Sequence, residues 1–120
     1  MNKGETKVQK QLRIKTGGLN RFKKDYVYYT KELQREKDRM EKFKEENKGE
    51  SSLKQQENVI QESQQMIEQV RMSLLKQKTV VEDYIEENKD DPSLKDGEQW
   101  NKAKNILDDV DKFIADNLSD

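Results

Sequence analysis

Side chains able to do chemistry are scarce in this chain. Its 120 residues include no histidine and no cysteine, so the common general base, the proton shuttle and the thiolate nucleophile are all missing. Carboxylates cluster at Asp90-Asp91 and at Asp108-Asp109-Val110-Asp111. A calcium loop needs acids at alternate positions, a glycine and a distal glutamate. Neither cluster has that layout, and both read as solvated helix ends and faces. No GxxxxGK[ST] phosphate loop occurs, and Gly17-Gly18 reads as a hinge or a helix start. Arg21-Phe22-Lys23-Lys24, followed by Tyr26, Tyr28 and Tyr29, mixes bases with aromatics as single-strand binders do. Phe22, Tyr26 and Tyr29, however, fall on an apolar stripe, and the isoelectric point of about 5.7 is wrong for a dedicated nucleic-acid binder. The expectation is a protein with no catalytic residues, no metal, no cofactor and no nucleic acid, which works by contact.

The elements that would position such contacts are legible from periodicity. Leu19, Phe22, Tyr26, Tyr29, Leu33, Met40 and Phe43 step by three and four, with Glu36 the polar member of the row. Leu53, Ile60, Ile67, Val70, Leu74, Val81 and Tyr84 form a second row, and Trp100, Ala103, Leu107, Val110 and Ile114 a third. Such steps mark one side of an α-helix packed on other helices. Val59, Met66 and Val80 widen the second stripe, as suits a central helix with two neighbours. Met72 and Leu75 fall off it, as an exposed contact or as scattered surface residues. The polar seam members Lys15, Glu36, Gln56, Ser63 and Gln77 have three readings: register setting, an opening for a partner, or plain solvent exposure.

The fold class expected is all-α: an elongated, up-down-up antiparallel three-helix bundle with spectrin-like, coiled-coil packing. Residues 1–15 read as a basic arm, partly ordered at most, although Val8 and Leu12 extend the first stripe backwards. Gly17-Gly18 interrupts the pattern, since each glycine costs about 1 kcal/mol within a helix, and Thr16 is a cap candidate for the helix beyond it. Residues 16–118 make the bundle, with helices over about 19–47, 52–88 and 96–118. Asn47 and Gly49 suit a helix end, Ser51 or Ser52 the next N-cap, Pro92 a stop, and Asp96 with Gln99 a capping box.

Composition bounds the rest. Only 30% of residues are hydrophobic and 41% are charged, close to disorder, yet a disordered chain has no reason to phase its few apolar residues. No apolar run approaches membrane-spanning length, the first residues lack a secretory core, and the lack of cysteine gives no disulfide framework. A soluble intracellular protein with no membrane role is expected. Net charge is +7 over residues 1–24 and −8 over residues 82–120, with a neutral middle. In an up-down-up bundle the basic head faces Glu82, Asp83, Glu86, Glu87, Asp90 and Asp91. That polarity either specifies helix direction alone or also docks an acidic partner, with screening over ~8 Å favouring close intramolecular contacts.

At this level of detail the chain resembles the tubulin-binding cofactor A family. The residues that carry the resemblance begin at Ile14-Lys15-Thr16-Gly17 and continue through Arg21, Lys24, Val27, Tyr29, Lys31, Glu32 and Met40-Glu41-Lys42. They are densest at Leu53-Lys54-Gln55-Gln56-Glu57 and Ile60-Gln61-Glu62-Ser63, followed by Met66-Ile67, and resume at Lys102-Ala103-Lys104, Leu107 and Asp108. Two departures stand out. Glu68 sits where the family often has a helix-bending proline, so a straighter second helix is expected, and the N-terminal arm is longer and more basic.

The resemblance implies a chaperone that captures and holds β-tubulin after chaperonin release, stoichiometrically and without nucleotide, and passes it toward heterodimer assembly. Other tubulin-folding cofactors are further partners, the setting is the cytoplasm and the microtubule cytoskeleton, and the chain is a monomer or a homodimer. Partner-binding residues expected on that basis are Glu57, Gln61 and Glu62 on the outer face of the second helix, Lys54 one turn before them, and Lys42 and Glu45 across the turn. The alternatives are solvated face residues with weak i,i+4 pairing, and, for the whole chain, a structural coiled-coil or adaptor module that self-associates through the seam.

Overall fold

The computed structural model describes residues 4–95 and 97–118. Three α-helices carry the chain: α1, Lys7–Glu45; α2, Glu50–Glu87; and α3, Glu98–Asn117. There is no strand among the described residues, and no helix there is long and apolar enough to cross a membrane. The apolar rows explain this: not one residue of the three rows is exposed. Leu12, Leu19, Leu74, Val81 and Val110 are fully buried, each worth about 1.5–3 kcal/mol against exposure.

The expected start of the first helix near Leu19 is corrected: α1 begins at Lys7. The cause is a capping box hidden in the basic stretch. The Thr6 N–H donates to Gln9 Oε1 at 2.8 Å and the Gln9 N–H donates to Thr6 Oγ1 at 3.2 Å, so two otherwise orphaned amides satisfy each other's residues. The box is itself anchored, because Gln9 Nε2 donates to the Ser93 carbonyl and Thr6 Oγ1 lies 3.0 Å from Ser93 Oγ. Glu5 and Arg13 close an ion pair at 2.8 Å over the same turns. Thr16 is therefore no cap. It is buried in mid-helix and its hydroxyl donates back to the Leu12 carbonyl. Gly17-Gly18 stays helical because Gly18 lies against α2, where a Cβ would come within 3.2 Å of Gln77 Nε2. Helix–helix packing outweighs the glycine propensity cost.

At the other end of α1, Asn47 adopts φ 55°. The Lys48 N–H reaches the Phe43 carbonyl at 2.9 Å and the Asn47 N–H reaches that of Lys44 at 3.1 Å, the double bond pattern of a Schellman cap. The Gly49 carbonyl accepts from the Ser52 and Leu53 N–H groups. Gly49, not Ser51 or Ser52, thus takes the N-cap position of α2, and Glu50 sits in its first turn where the helix dipole favours an acid. α2 passes Glu68 without a break. It stops before Pro92, where the Asp91 carboxylate accepts from the Ser93 N–H and hydroxyl. Asp96 lies outside the described residues. The N-cap of α3 is Gly97, with no side-chain cap bond.

The chain divides into two compact units. Unit one is Met1–Lys23 with Ser73–Asp120. There α1 and α2 are antiparallel: Gln77 lies opposite Lys15, while Ser93, further on, meets Thr6, further back. α3 runs with α1, so Arg13 shares a hollow with Gln99, Asn20 with Ile106, and Lys23 lies over the Phe113 ring. That is the up-down-up arrangement. Leu94 in the connecting turn, and Leu118 just past α3, complete its core. The Lys78 ammonium bridges Asp111 of α3 at 3.0 Å and Glu82 at 3.3 Å. Unit two, Lys24–Met72, is a helical hairpin of α1 and α2 alone. Its buried apolar residues are Met40, Ile60 and Val70.

The expected docking of the basic head on the acidic stretch takes another form. Among the described residues no ion pair joins residues 7–24 to Glu82, Asp83, Glu86, Glu87, Asp90 or Asp91. Lys15 instead lies over the Tyr84 ring, 5.1 Å from its centroid, a cation–π contact worth about 0.5–1 kcal/mol at such sites. Burial, with the carboxylates of Asp91 and Glu87 nearby, raises the Tyr84 hydroxyl above its ordinary pKa.

Candidate functional site

Two polar members of the apolar seam, Glu36 and Gln56, bind each other, and a third, Gln77, bonds the backbone of Lys15. In unit two Gln56 Nε2 donates at 2.8 Å to both the carbonyl and the Oε2 of Glu36. Gln56 is 4% exposed and Glu36 9%, so a carboxylate is held inside a two-helix interface by one amide, with Arg39 Nη1 3.7 Å away. In unit one Gln77 Nε2 donates to the Lys15 carbonyl at 3.0 Å. For Glu36, Gln56 and Gln77, of the three readings, register setting fits: a buried amide that finds its partner in only one alignment penalises every other; Ser63 instead lines a groove between α1 and α2. Neither pair is an opening for a ligand.

The carboxylate clusters are likewise occupied or solvated. Hydrogen bonds from the Ser93 hydroxyl and N–H hold the Asp91 carboxyl below its usual range. Asp111 meets Lys78, and its hydrogen bond raises the Lys78 ammonium above its ordinary pKa. Among the described residues no group of three or more His, Cys, Asp or Glu side chains is placed to hold a metal ion. The bases near Phe22 lie over rings: Arg21 over Phe22 at 5.4 Å and Lys23 over Phe113 at 5.5 Å. A hollow of about 480 Å³ in unit one is lined by Gly4, Glu5, Gln9, Arg13, Glu98 and Gln99, but its cation Arg13 is already paired with Glu5.

The six residues expected to meet a partner lie in unit two. Lys42, Glu45, Lys54, Glu57, Gln61 and Glu62 are all exposed. Within the described residues none of their side chains has a hydrogen-bond or ion-pair partner. Lys42 and Glu45 stand on the last turn of α1, Lys54 and Glu57 near the start of α2, and Gln61 and Glu62 one turn further on. Of the six, Glu62 lines a groove of about 240 Å³ together with Tyr28, Tyr29, Glu32, Val59, Ser63 and Met66.

Sequence reasoning passed over this groove. Among the described residues, four of the five exposed large hydrophobics belong to unit two: Val27, Tyr28, Met66 and Met72. The physical cause is the missing third helix, since α3, at 20 residues, packs in unit one. The available signal was the Tyr28-Tyr29 doublet. Adjacent helical residues diverge by about 100°, so only one of them fits the seam. Tyr29 does, half-buried, and Tyr28 stands outside it, 55% exposed and edge-on to the Tyr29 ring at 5.2 Å.

Residues 7–107 match the family described as tubulin binding cofactor A. Tubulin-specific chaperone A of Mus musculus is 33% identical over 101 residues, which make up 84% of this chain and 91% of that protein. The Homo sapiens protein of the same name is 31% identical over the same extent. The crystal structure of tubulin folding cofactor A from Arabidopsis thaliana superposes with a TM-score of 0.76 at 30% identity, covering 88% of this chain and 96% of that one. The human tubulin chaperone cofactor a structure gives 0.70 at 30% identity, with 87% and 98% covered. With the family pattern running through both units and nearly the full length of the relatives shared, the chain belongs to the tubulin binding cofactor A family.

Proposed function

We propose that this chain is a tubulin-folding chaperone that captures β-tubulin intermediates after chaperonin release and holds them for assembly into tubulin complexes. It acts one-for-one with its client, without nucleotide, in the cytoplasm beside the microtubule cytoskeleton. It passes the client to other tubulin-folding cofactors. The observation that carries this reading is the family match over residues 7–107, which includes α1, α2 and the first half of α3. The surface supports it. Exposed ammonium, carboxylate and amide groups at Lys42, Glu45, Lys54, Glu57, Gln61 and Glu62 have no hydrogen-bond or ion-pair partners among the described residues, so a client meets them at no loss of those contacts. An interface rich in such groups is reversible and weakens with salt, as a holding chaperone requires.

The test is capture of purified β-tubulin on the immobilised chain at low salt with no nucleotide present, beside a Glu57→Lys/Glu62→Lys variant. Retention by the parent chain and loss by the charge-reversed variant is the expected pattern. No retention by the parent chain overturns the function, and equal retention by both removes these two glutamates from the contact.

A further inference from the structure

We propose that the groove of unit two docks one amphipathic segment of the client, with an apolar side chain on the floor made by Tyr28, Val59 and Met66 and a lysine or arginine beside Glu62. This inference rests on the chaperone reading above and names the part of the surface that grips.

Three observations carry it. The first is the floor. Tyr28 is 55% exposed and Met66 36%, and they line one groove with Val59. A rigid aromatic anchor beside an adaptable methionine is a common composition for a recognition surface. At about 240 Å³ the groove falls below the ~300–1,000 Å³ of small-molecule pockets and suits one or two side chains of a polypeptide. The second is charge. From Gln55 to Val70, α2 has no lysine or arginine; it carries Glu57, Glu62 and Glu68 and seven amide side chains, in a chain whose bases and acids are otherwise nearly equal in number. Glu68 is paired with Arg71 and, across the groove, Glu32 with Arg35. Glu62 is left as the groove carboxylate without a partner among the described residues, so the complementary group on the occupant is a cation. The third is the shape of unit two. Unit one shows what completes an α1/α2 pair in this chain: α3, an amphipathic helix packing through Ala103, Leu107 and Val110. Unit two has the pair and no such cover.

The experiment measures β-tubulin affinity for the parent chain, Tyr28→Ala, Met66→Ala, Glu62→Gln and, as a control, Met72→Ala. Met72 is 61% exposed in the same unit and does not line the groove. Circular dichroism confirms that each variant is folded, and light scattering follows its size. The expected result is a loss of about tenfold for Tyr28→Ala, a smaller loss for Met66→Ala, and no change for Met72→Ala. Glu62→Gln is expected to weaken binding and flatten its salt dependence. Parent-like affinity in Tyr28→Ala and Met66→Ala, with the parent chain binding well, overturns the groove and leaves the chaperone reading intact. Failure of the parent chain itself overturns both. A change in oligomeric size in Tyr28→Ala with client affinity unchanged assigns the groove to a second copy of the chain and overturns the proposal.

Discussion

The Glu36–Gln56 pair makes a prediction whose sign reverses between one substitution and two. Replacing Gln56 by leucine removes two hydrogen bonds of 2.8 Å. The bond to the carboxylate is worth about 1.5–3 kcal/mol and the neutral one about 1. Burying leucine in place of the amide returns about 1–2 kcal/mol. The single variant is therefore about 1–2 kcal/mol less stable, because it leaves the Glu36 carboxylate buried with only Arg39 at 3.7 Å. Replacing Glu36 by leucine as well removes the charge that needed a partner. Exchanging a buried ionic or polar pair for packed apolar residues is often neutral or stabilising by 1–4 kcal/mol. The double variant is then at least as stable as the parent, and the coupling between the sites is about 2 kcal/mol. Urea and thermal unfolding of the parent, both single variants and the double variant read this directly, at about 3–5 °C per kcal/mol for a chain of this size. A neutral Gln56→Leu, or a double variant that loses the sum of its singles, would refute the view that this amide is held in place by a buried charge.

Three further outcomes concern the fold. Gly17→Ala meets nothing within 4 Å while Gly18→Ala places a Cβ 3.2 Å from Gln77 Nε2, so the first gains about 1 kcal/mol of helix propensity and the second gains less or loses; equal gains would contradict the close approach of α1 and α2. Thr6→Ala removes the cap of α1 at a cost of about 1 kcal/mol, with faster amide exchange at Gln9 and Lys10, and unchanged exchange there would contradict the capping box. The folded Asp91 carboxyl titrates below its ordinary 3.8 because Ser93 donates to it, so its contribution is present above that value and fades as pH falls through the lower, folded one. The stability gap between the parent and Ser93→Ala therefore narrows in acid, and a gap constant from pH 7 to pH 2 would count against that bond.

Much of the fold was legible because packing repeats. Rows such as Leu74, Val81 and Tyr84, or Ala103, Leu107 and Val110, step at the period of a helix face, and the structure leaves none of them exposed. Pro92 and Asn47 marked ends because each constrains the backbone in a way that few residues share. The start of α1 was misjudged because two glycines weigh heavily as local propensity and lightly against the contact of Gly18 with Gln77, which joins residues 59 positions apart. The Thr6–Gln9 box was readable as T-x-x-Q but sat in a stretch whose charge suggested an arm. The site was harder to see. Lys42, Glu45, Lys54, Glu57 and Gln61 are exposed, as expected, yet exposure is common to most charged residues here and distinguishes none of them. The groove at Tyr28 and Met66 depends on which part of the α1/α2 pair α3 covers, a fact of tertiary packing that a helical period does not encode.

The central claim is that this chain holds a folding client by surface contact alone. Titration of β-tubulin with the chain in nucleotide-free buffer, followed by size-exclusion chromatography with light scattering, tests it most directly. The account predicts a saturable one-to-one complex that dissociates as salt is raised and is unchanged by added nucleotide. A chain that leaves β-tubulin unbound at low salt, or binds it only when nucleotide is supplied, would contradict it.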